Sequence, residues 1–164
     1  MSYATTDLSD AHPDAQVADP VFGDFGGNTV FHGPVVTLKV FEDNALVRAL
    51  LEAPGKGQVL VVDGGGSARC ALVGGNLGQL GVDNGWAGIV VNGFIRDTDE
   101  LAEQKIGIKA LGPHPRKSEK GLHTGHRDRT VTFAGVTFKP GQWLYADADG
   151  IVVADTAIHE HKKK

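Results

Sequence analysis

The hydrophobic pattern changes period along the chain, and each period predicts a different element. Residues 58–66, QVLVVDGGG, form a continuous apolar run that ends in glycines, which predicts a buried strand entering a turn. WAGIVVNG (86–93) and IGIKALG (106–112) repeat that form and predict two more buried strands. Helical spacing fills the gaps. FEDNALVRALLEAPG (41–55) puts Leu46, Val47, Leu50 and Leu51 on one face, offers Asp43 or Asn44 as a cap, and stops at Pro54-Gly55. SARCALVGGNLGQLGVDNG (67–85) predicts a mostly helical segment broken at Gly74-Gly75, and Asp97 to Lys105 a short helix. Apolar strands alternating with helices predict βαβ units and a parallel sheet.

The two ends have other patterns. TVFHGPVVTLKV (29–40) predicts two short strands around Gly33-Pro34. TVTFAGVTFKPGQWLYADADGIVVAD alternates, with turn signals at Ala134-Gly135, Lys139-Pro140-Gly141 and Asp149-Gly150, and predicts antiparallel hairpins. PHPRKSEKGLHTGHRDR, before it, is a polar loop of the kind that often carries function. The whole predicts a single mixed α/β domain over residues 1–164, with a central βαβ unit, a C-terminal antiparallel β part and a flexible tail over 156–164.

Composition narrows the classes. A chain of 164 residues suits one domain with a real core. No apolar run nears the roughly 20 residues of a membrane span. MSYATTDLSDAH lacks the basic start and apolar stretch of a signal peptide. One cysteine excludes an internal disulfide framework and a cysteine zinc cluster, which points to a cytoplasmic protein. A net charge of −4 argues against direct nucleic-acid binding, and the short basic end HEHKKK does not reverse that.

Two glycine loops and one charged pair are the candidates for chemistry. VVDGGGSA (61–68) suggests a nucleotide loop or a methyltransferase binding S-adenosylmethionine. It has no GK[ST], Arg69 occupies the third position of GxGxxG, and the next strand ends in Asn92, not an acid. A turn that packs a helix on a sheet is the simpler expectation. Arg96-Asp97-Thr98-Asp99-Glu100 admits a capping box, with Asp97 as N-cap and Glu100 three residues on. It also lies beyond the carboxyl end of a predicted parallel strand, where open α/β folds bind ligands. A carboxylate there can hold Mg²⁺, and an adjacent arginine can grip a carboxylate or oxyanion. VGGNLG (73–78) offers helix-start amides to an anion. Twenty residues separate Gly75 from Arg96, giving G-x20-R-D-x2-E, one βα unit apart. His114, His123 and His126 fit a surface loop, and His159 and His161 the tail. Cys70 fits a buried small residue, Trp86 and Trp143 core or subunit-contact positions, and Lys105 and Lys109 solvated ones.

G-x20-R-D-x2-[ED] resembles the pattern of the class II pyruvate aldolases that cleave 4-hydroxy-4-methyl-2-oxoglutarate, which share a fold with the regulator of ribonuclease activity A. The resemblance extends through TTDLSD, FGG (25–27), FEDNALVR, VLVVDGGGS, ALVGGNL, GFIRDT, IGIKALG, PRKS, AGVTF and LYADADGIVV, from about residue 5 to 155. It implies an RraA-like fold of the swivelling β/β/α type and a homotrimer with its site between subunits. It implies substrate contacts from the backbone of Gly74, Gly75, Asn76 and Leu77, a pyruvoyl contact from Arg96, and a divalent cation, Mg²⁺ or Mn²⁺, on Asp97. A further acid from a neighbouring subunit is implied, with Glu160 as a candidate. The implied chemistry is keto-acid cleavage and oxaloacetate decarboxylation through a pyruvate enolate. The alternatives are a protein that binds and inhibits a ribonuclease E-type endonuclease and, third, a demethylmenaquinone methyltransferase.

Overall fold

The computed structural model describes residues 2–119, 121 and 124–159. In chain order the elements are helix α1 (Thr5–Ala11), strands β1 (Gln16–Val17), β2 (Gly23–Asp24) and β3 (Phe31–Lys39), and helix α2 (Ala45–Glu52). Strands β4 (Val59–Asp63) and β5 (Ala71–Val73), helix α3 (Gly75–Asp83), strand β6 (Gly88–Ile95), helix α4 (Thr98–Ala102) and strand β7 (Gly107–Pro113) follow. The remainder is β8 (His126–Arg127), β9 (Val131–Phe133), β10 (Val136–Phe138), β11 (Trp143–Asp147) and β12 (Gly150–Ala154).

The expected parallel sheet is β3-β4-β6-β7. Antiparallel strands extend it on both sides, β11, β12 and β1 beyond β3, and β2 beyond β7. Strand alternation sends side chains to two cores. Leu60, Val62, Ile89 and Val91 meet Val47, Leu51, Leu77 and Leu101 of the helices. Val59, Val61 and Val90 meet the β9–β10 hairpin and β12 on the other face. That hairpin turns at Ala134-Gly135, as expected, with φ of 51° and 74°. None of the helices among the described residues is long and apolar enough to cross a membrane.

Four expectations are corrected. Residues 31–39 form one strand, because pairing with β4 begins only at Val35 and Pro34 leaves no gap in that ladder. Ala71–Val73, expected to be helical, is a strand, since parallel pairing with β6 overrides the local pattern of so short a run. Lys109 is 2% exposed rather than solvated, with Nζ 3.0 Å from the Asp24 carboxylate and 2.7 Å from the Asp147 carbonyl. The tail is fixed at least as far as Ile158 and His159, both buried, whose N–H groups donate to the Tyr145 hydroxyl at 2.9 and 3.2 Å. His123, Glu160 and His161 lie outside the described residues.

Candidate active site

Parallel strands end at the same edge, and this joins two distant segments. β4 runs beside β6 as far as the pair Asp63 and Asn92. The chain turns through Gly64-Gly65-Gly66 and re-enters as β5 beside the continuation of β6, pairing Ala71 with Phe94 and Val73 with Ile95. The Arg96 N–H donates to the Val73 carbonyl at 2.9 Å. Gly74-Gly75 and Arg96-Asp97 therefore leave the sheet side by side.

Asp97 does not work as the expected capping box. Its backbone carbonyl accepts the Leu101 N–H at 2.9 Å, so it starts α4, but its side chain makes no cap bond there. Its backbone is left-handed, φ 62° and ψ 48°, which turns the carboxylate away from α4. Oδ2 instead accepts the N–H of Gly75, the first residue of α3, at 2.8 Å. The carboxylate of Glu100 also leaves its own helix end and lies where a Cβ on Gly75 would stand. A Cβ on Gly74 would come within 2.8 Å of Asp97 Oδ2, so the glycine pair admits both acids.

Gly74, Gly75, Asn76, Leu77, Arg96 and Asp97 line one pocket of about 70 Å³. The N–H groups of Asn76 and Leu77 have no hydrogen-bond partner among the described residues and stand at the positive end of α3. Asn44, Arg48, Lys117 and Ser118 line the same pocket, and the sequence did not mark them as site residues. FEDN and PRKS carried that signal only as segments of resemblance. Asn44 begins α2 without a side-chain cap bond and donates Nδ2 to the Leu72 carbonyl at 3.0 Å, while Asp43 accepts the Ala45 N–H. Asn44 Oδ1 and Ser118 Oγ are buried without partners among the described residues. Among the described residues the lining carries Arg48, Arg96 and Lys117 against the one carboxylate of Asp97, with Arg48 also paired to Glu52 at 3.3 Å, although the chain's net charge is −4. The local field therefore favours a small polyanion.

Among the described residues, Asp97 is the single carboxylate on the wall. No group of three or more His, Cys, Asp or Glu side chains comes together among the described residues, so these build no closed zinc-type site. One carboxylate beside an open pocket suits a hard cation that keeps most of its water, Mg²⁺ or Mn²⁺. The other candidates are committed elsewhere. Asp63 Oδ1 accepts from Gly65 N–H and Asn92 Nδ2, each at 3.0 Å, and closes the GGG turn on itself. Cys70 is buried, and burial followed by the nearby Glu42 charge pushes its thiol upward, against a nucleophile. His126 is exposed, and His114 Nδ1 accepts the Arg116 N–H at 3.1 Å.

A family model described as Aldolase/RraA, the RraA-like family, matches residues 5–153. A protein of Burkholderia mallei with the provisional name 4-hydroxy-4-methyl-2-oxoglutarate aldolase is 58% identical over 98% of this chain and 100% of its own. A solved structure from Thermus thermophilis, described as the RNA-processing inhibitor RraA, is 51% identical with a TM-score of 0.91, covering 95% of this chain and 94% of that one. A third, from Geobacillus kaustophilus and described as an S-adenosylmethionine:2-dimethylmenaquinone methyltransferase, is 45% identical with a TM-score of 0.92, covering 98% and 99%.

Proposed function

The chain belongs to the RraA-like family, and from that membership and the geometry around Asp97 we propose that it is a divalent-metal-dependent carbon–carbon lyase. It cleaves 4-hydroxy-2-keto acids of the 4-hydroxy-4-methyl-2-oxoglutarate class to pyruvate and decarboxylates oxaloacetate. The observation that carries this is the convergence of Asp97, Arg96 and the free Asn76 and Leu77 amides on one pocket.

The residues divide the work. Asn76 and Leu77 N–H groups and the Arg96 fork receive the pyruvoyl carboxylate. Asp97 Oδ2 accepts the Gly75 N–H, and the Asp97 carboxylate would hold the cation through its other oxygen. When bound, the cation supplies Lewis acidity at the keto and carboxylate oxygens. A water in the pocket takes the 4-hydroxyl proton, and C4–O becomes the carbonyl of the departing keto acid as C3–C4 breaks. The freed electron pair passes into the pyruvoyl half. Negative charge then grows on the enolate oxygen, beside the Arg96 guanidinium. That enolate then takes a proton at C3 to leave as pyruvate. Loss of CO₂ from oxaloacetate leaves the same enolate, so one set of residues serves both reactions.

The pocket of one chain, about 70 Å³, falls well short of the roughly 300 Å³ or more of a typical small-molecule site. A homotrimer in which a neighbouring subunit completes the site fits that shortfall. Pyruvate release from both keto acids, with Mg²⁺ and with EDTA, tests the lyase. Asp97→Ala is expected to lose at least about a hundredfold in turnover. A variant as fast as wild type, or wild-type turnover indifferent to EDTA, would overturn it.

A second reading rests on the likeness to the Thermus inhibitor. In it the chain also binds a ribonuclease E-type endonuclease through protein contacts. Co-purification of the endonuclease with both wild type and Asp97→Ala is the expected result, and failure of either to retain it would remove this reading. The methyltransferase reading draws on the Geobacillus neighbour's description, but the closed GGG turn gives it no support here. A thermal shift with S-adenosylmethionine would revive it.

A further inference from the structure

The bond from Asp97 fixes one side of Gly75, and a second side chain fixes the other. Gln104, just after α4, is 7% exposed and donates Nε2 to the Gly75 carbonyl at 2.9 Å. It does not line the pocket. The Gly75 carbonyl and the Asn76 N–H belong to one planar peptide and point in opposite directions. Whatever holds the carbonyl therefore aims the N–H, and a hydrogen bond to the carbonyl also polarises the N–H into a stronger donor. We propose that Gln104 is a positioning residue that sets the Asn76 amide toward the pyruvoyl carboxylate. This rests on the keto-acid reading of the pocket.

The packing supports a role beyond filling space. Gly75, Gly78 and Gly81 present a bare face of α3, three residues apart. Glu100 occupies the space at Gly75, Gln104 Oε1 the space at Gly78, and Ile106 Cδ1 stands 2.6 Å from a Cβ built on Gly81. The Gln104 backbone is held in turn, since its carbonyl accepts the Gly27 N–H at 2.8 Å and the Ile106 N–H at 2.9 Å. Yet Gln104 Oε1 is buried with no partner among the described residues. An apolar side chain of the same length would fill the gap without stranding an oxygen. The Nε2 donor is what such a side chain could not supply.

The test compares Gln104→Met, which keeps length and loses the donor, with Leu101→Ala, which loosens the same packing and keeps it. The ¹⁵N shift and hydrogen exchange of the Asn76 amide, pyruvate affinity with saturating Mg²⁺, and kcat and KM are read for each. In Gln104→Met the Asn76 resonance should move and its exchange quicken. Pyruvate affinity should fall about tenfold, with a matching rise in KM and unchanged Mg²⁺ affinity. Leu101→Ala should leave the Asn76 resonance in place. An unmoved Asn76 amide in Gln104→Met, or the same changes in Leu101→Ala, would overturn the proposal. Should Gln104→Met not fold, Gln104→Glu, which sets an acceptor against the carbonyl, must move Asn76 and weaken pyruvate binding. A wild type that releases pyruvate from neither keto acid would remove the lyase reading, while the Asn76 amide would still decide the role of Gln104.

Discussion

Asp97 carries its carboxylate on a left-handed residue, and that conformation decides which helix it serves. Asp and Asn tolerate this backbone because their short polar chains bond locally, whereas alanine there costs about 1–2 kcal/mol. Asp97→Asn should therefore keep stability within about 0.5 kcal/mol in urea unfolding, with its Oδ1 still accepting the Gly75 N–H. On the proposed metal-dependent reading it should lose turnover at least about a hundredfold, because a neutral amide is a poor ligand for a hard cation. Equal turnover with equal stability would return Asp97 to a purely structural place. At this scale the sequence was informative where a residue type has few uses. Arg beside Asp after an apolar strand, with twenty residues between it and a glycine pair, pointed to Gly75, Arg96 and Asp97; the family resemblance added Gly74, Asn76 and Leu77, and the fold brings all six to one pocket. D-x-x-E also spells a capping box, and only the left-handed φ of Asp97 shows that the box does not form. Asn44 and Ser118 were not legible as pocket residues, because each is polar for reasons that a turn alone would satisfy.

Elements meet closely where side chains are missing. Alanine at Gly78 would improve helix propensity by about 1 kcal/mol. Its Cβ would strike Gln104 Oε1 and come within 2.7 Å of Leu101 Cδ2, both in buried side chains. Gly78→Ala should thus be destabilising by about 1–3 kcal/mol in urea unfolding, with a rise in KM as α3 shifts from α4. A stabilised variant would show that the α3–α4 contact yields freely. The termini meet at a second junction. Tyr3 stacks on His32 at 3.9 Å and on His159 at 4.7 Å between ring centroids. Burial, then the nearby His159, lowers the pKa of His32, so the unfolded chain takes up its proton first. Stability from this group is present above the unfolded histidine value of about 6.5 and is lost as pH falls below it. Thermal unfolding from pH 7.5 to 5 should show that loss, and His32→Phe should reduce it. The same slope in the variant would assign the loss to other groups. Neither junction is written in local periodicity. The glycines of α3 suggested a break in a helix, and His159 in HEHKKK suggested a solvated end, because the partners of both are distant in sequence.

For the molecule as a whole, the parallel centre was legible because its strands are buried on both faces and read as unbroken apolar runs. The antiparallel flanks hold buried charge, which such runs do not announce. Lys109 on β7 reaches Asp24 on β2 and the Asp147 carbonyl on β11, and the Asp147 carboxylate accepts the Thr5 N–H and hydroxyl at 2.9 and 2.7 Å. Burial raises the Asp147 pKa, but bonds from Thr5 and Asp149 and the Lys109 charge outweigh it and hold the carboxyl below its ordinary value. That contribution to stability is full above the unfolded aspartate value of about 3.9 and is lost as pH falls through the lower folded one. Asp147→Asn should therefore weaken the fold at pH 7 and flatten the acid limb of its stability curve, and an unchanged limb would place acid sensitivity elsewhere. Assembly lies beyond both sequence pattern and the single chain. The pocket proposed to take a keto acid gathers Arg48, Arg96, Lys117 and Asp97 but, at about 70 Å³, lacks the volume of a typical small-molecule site. If a neighbour supplies the missing wall, light scattering should give three times the 17.3 kDa chain mass. Specific activity should then fall as dilution separates the subunits. A monomer with full, dilution-independent turnover would show that one chain closes its own site.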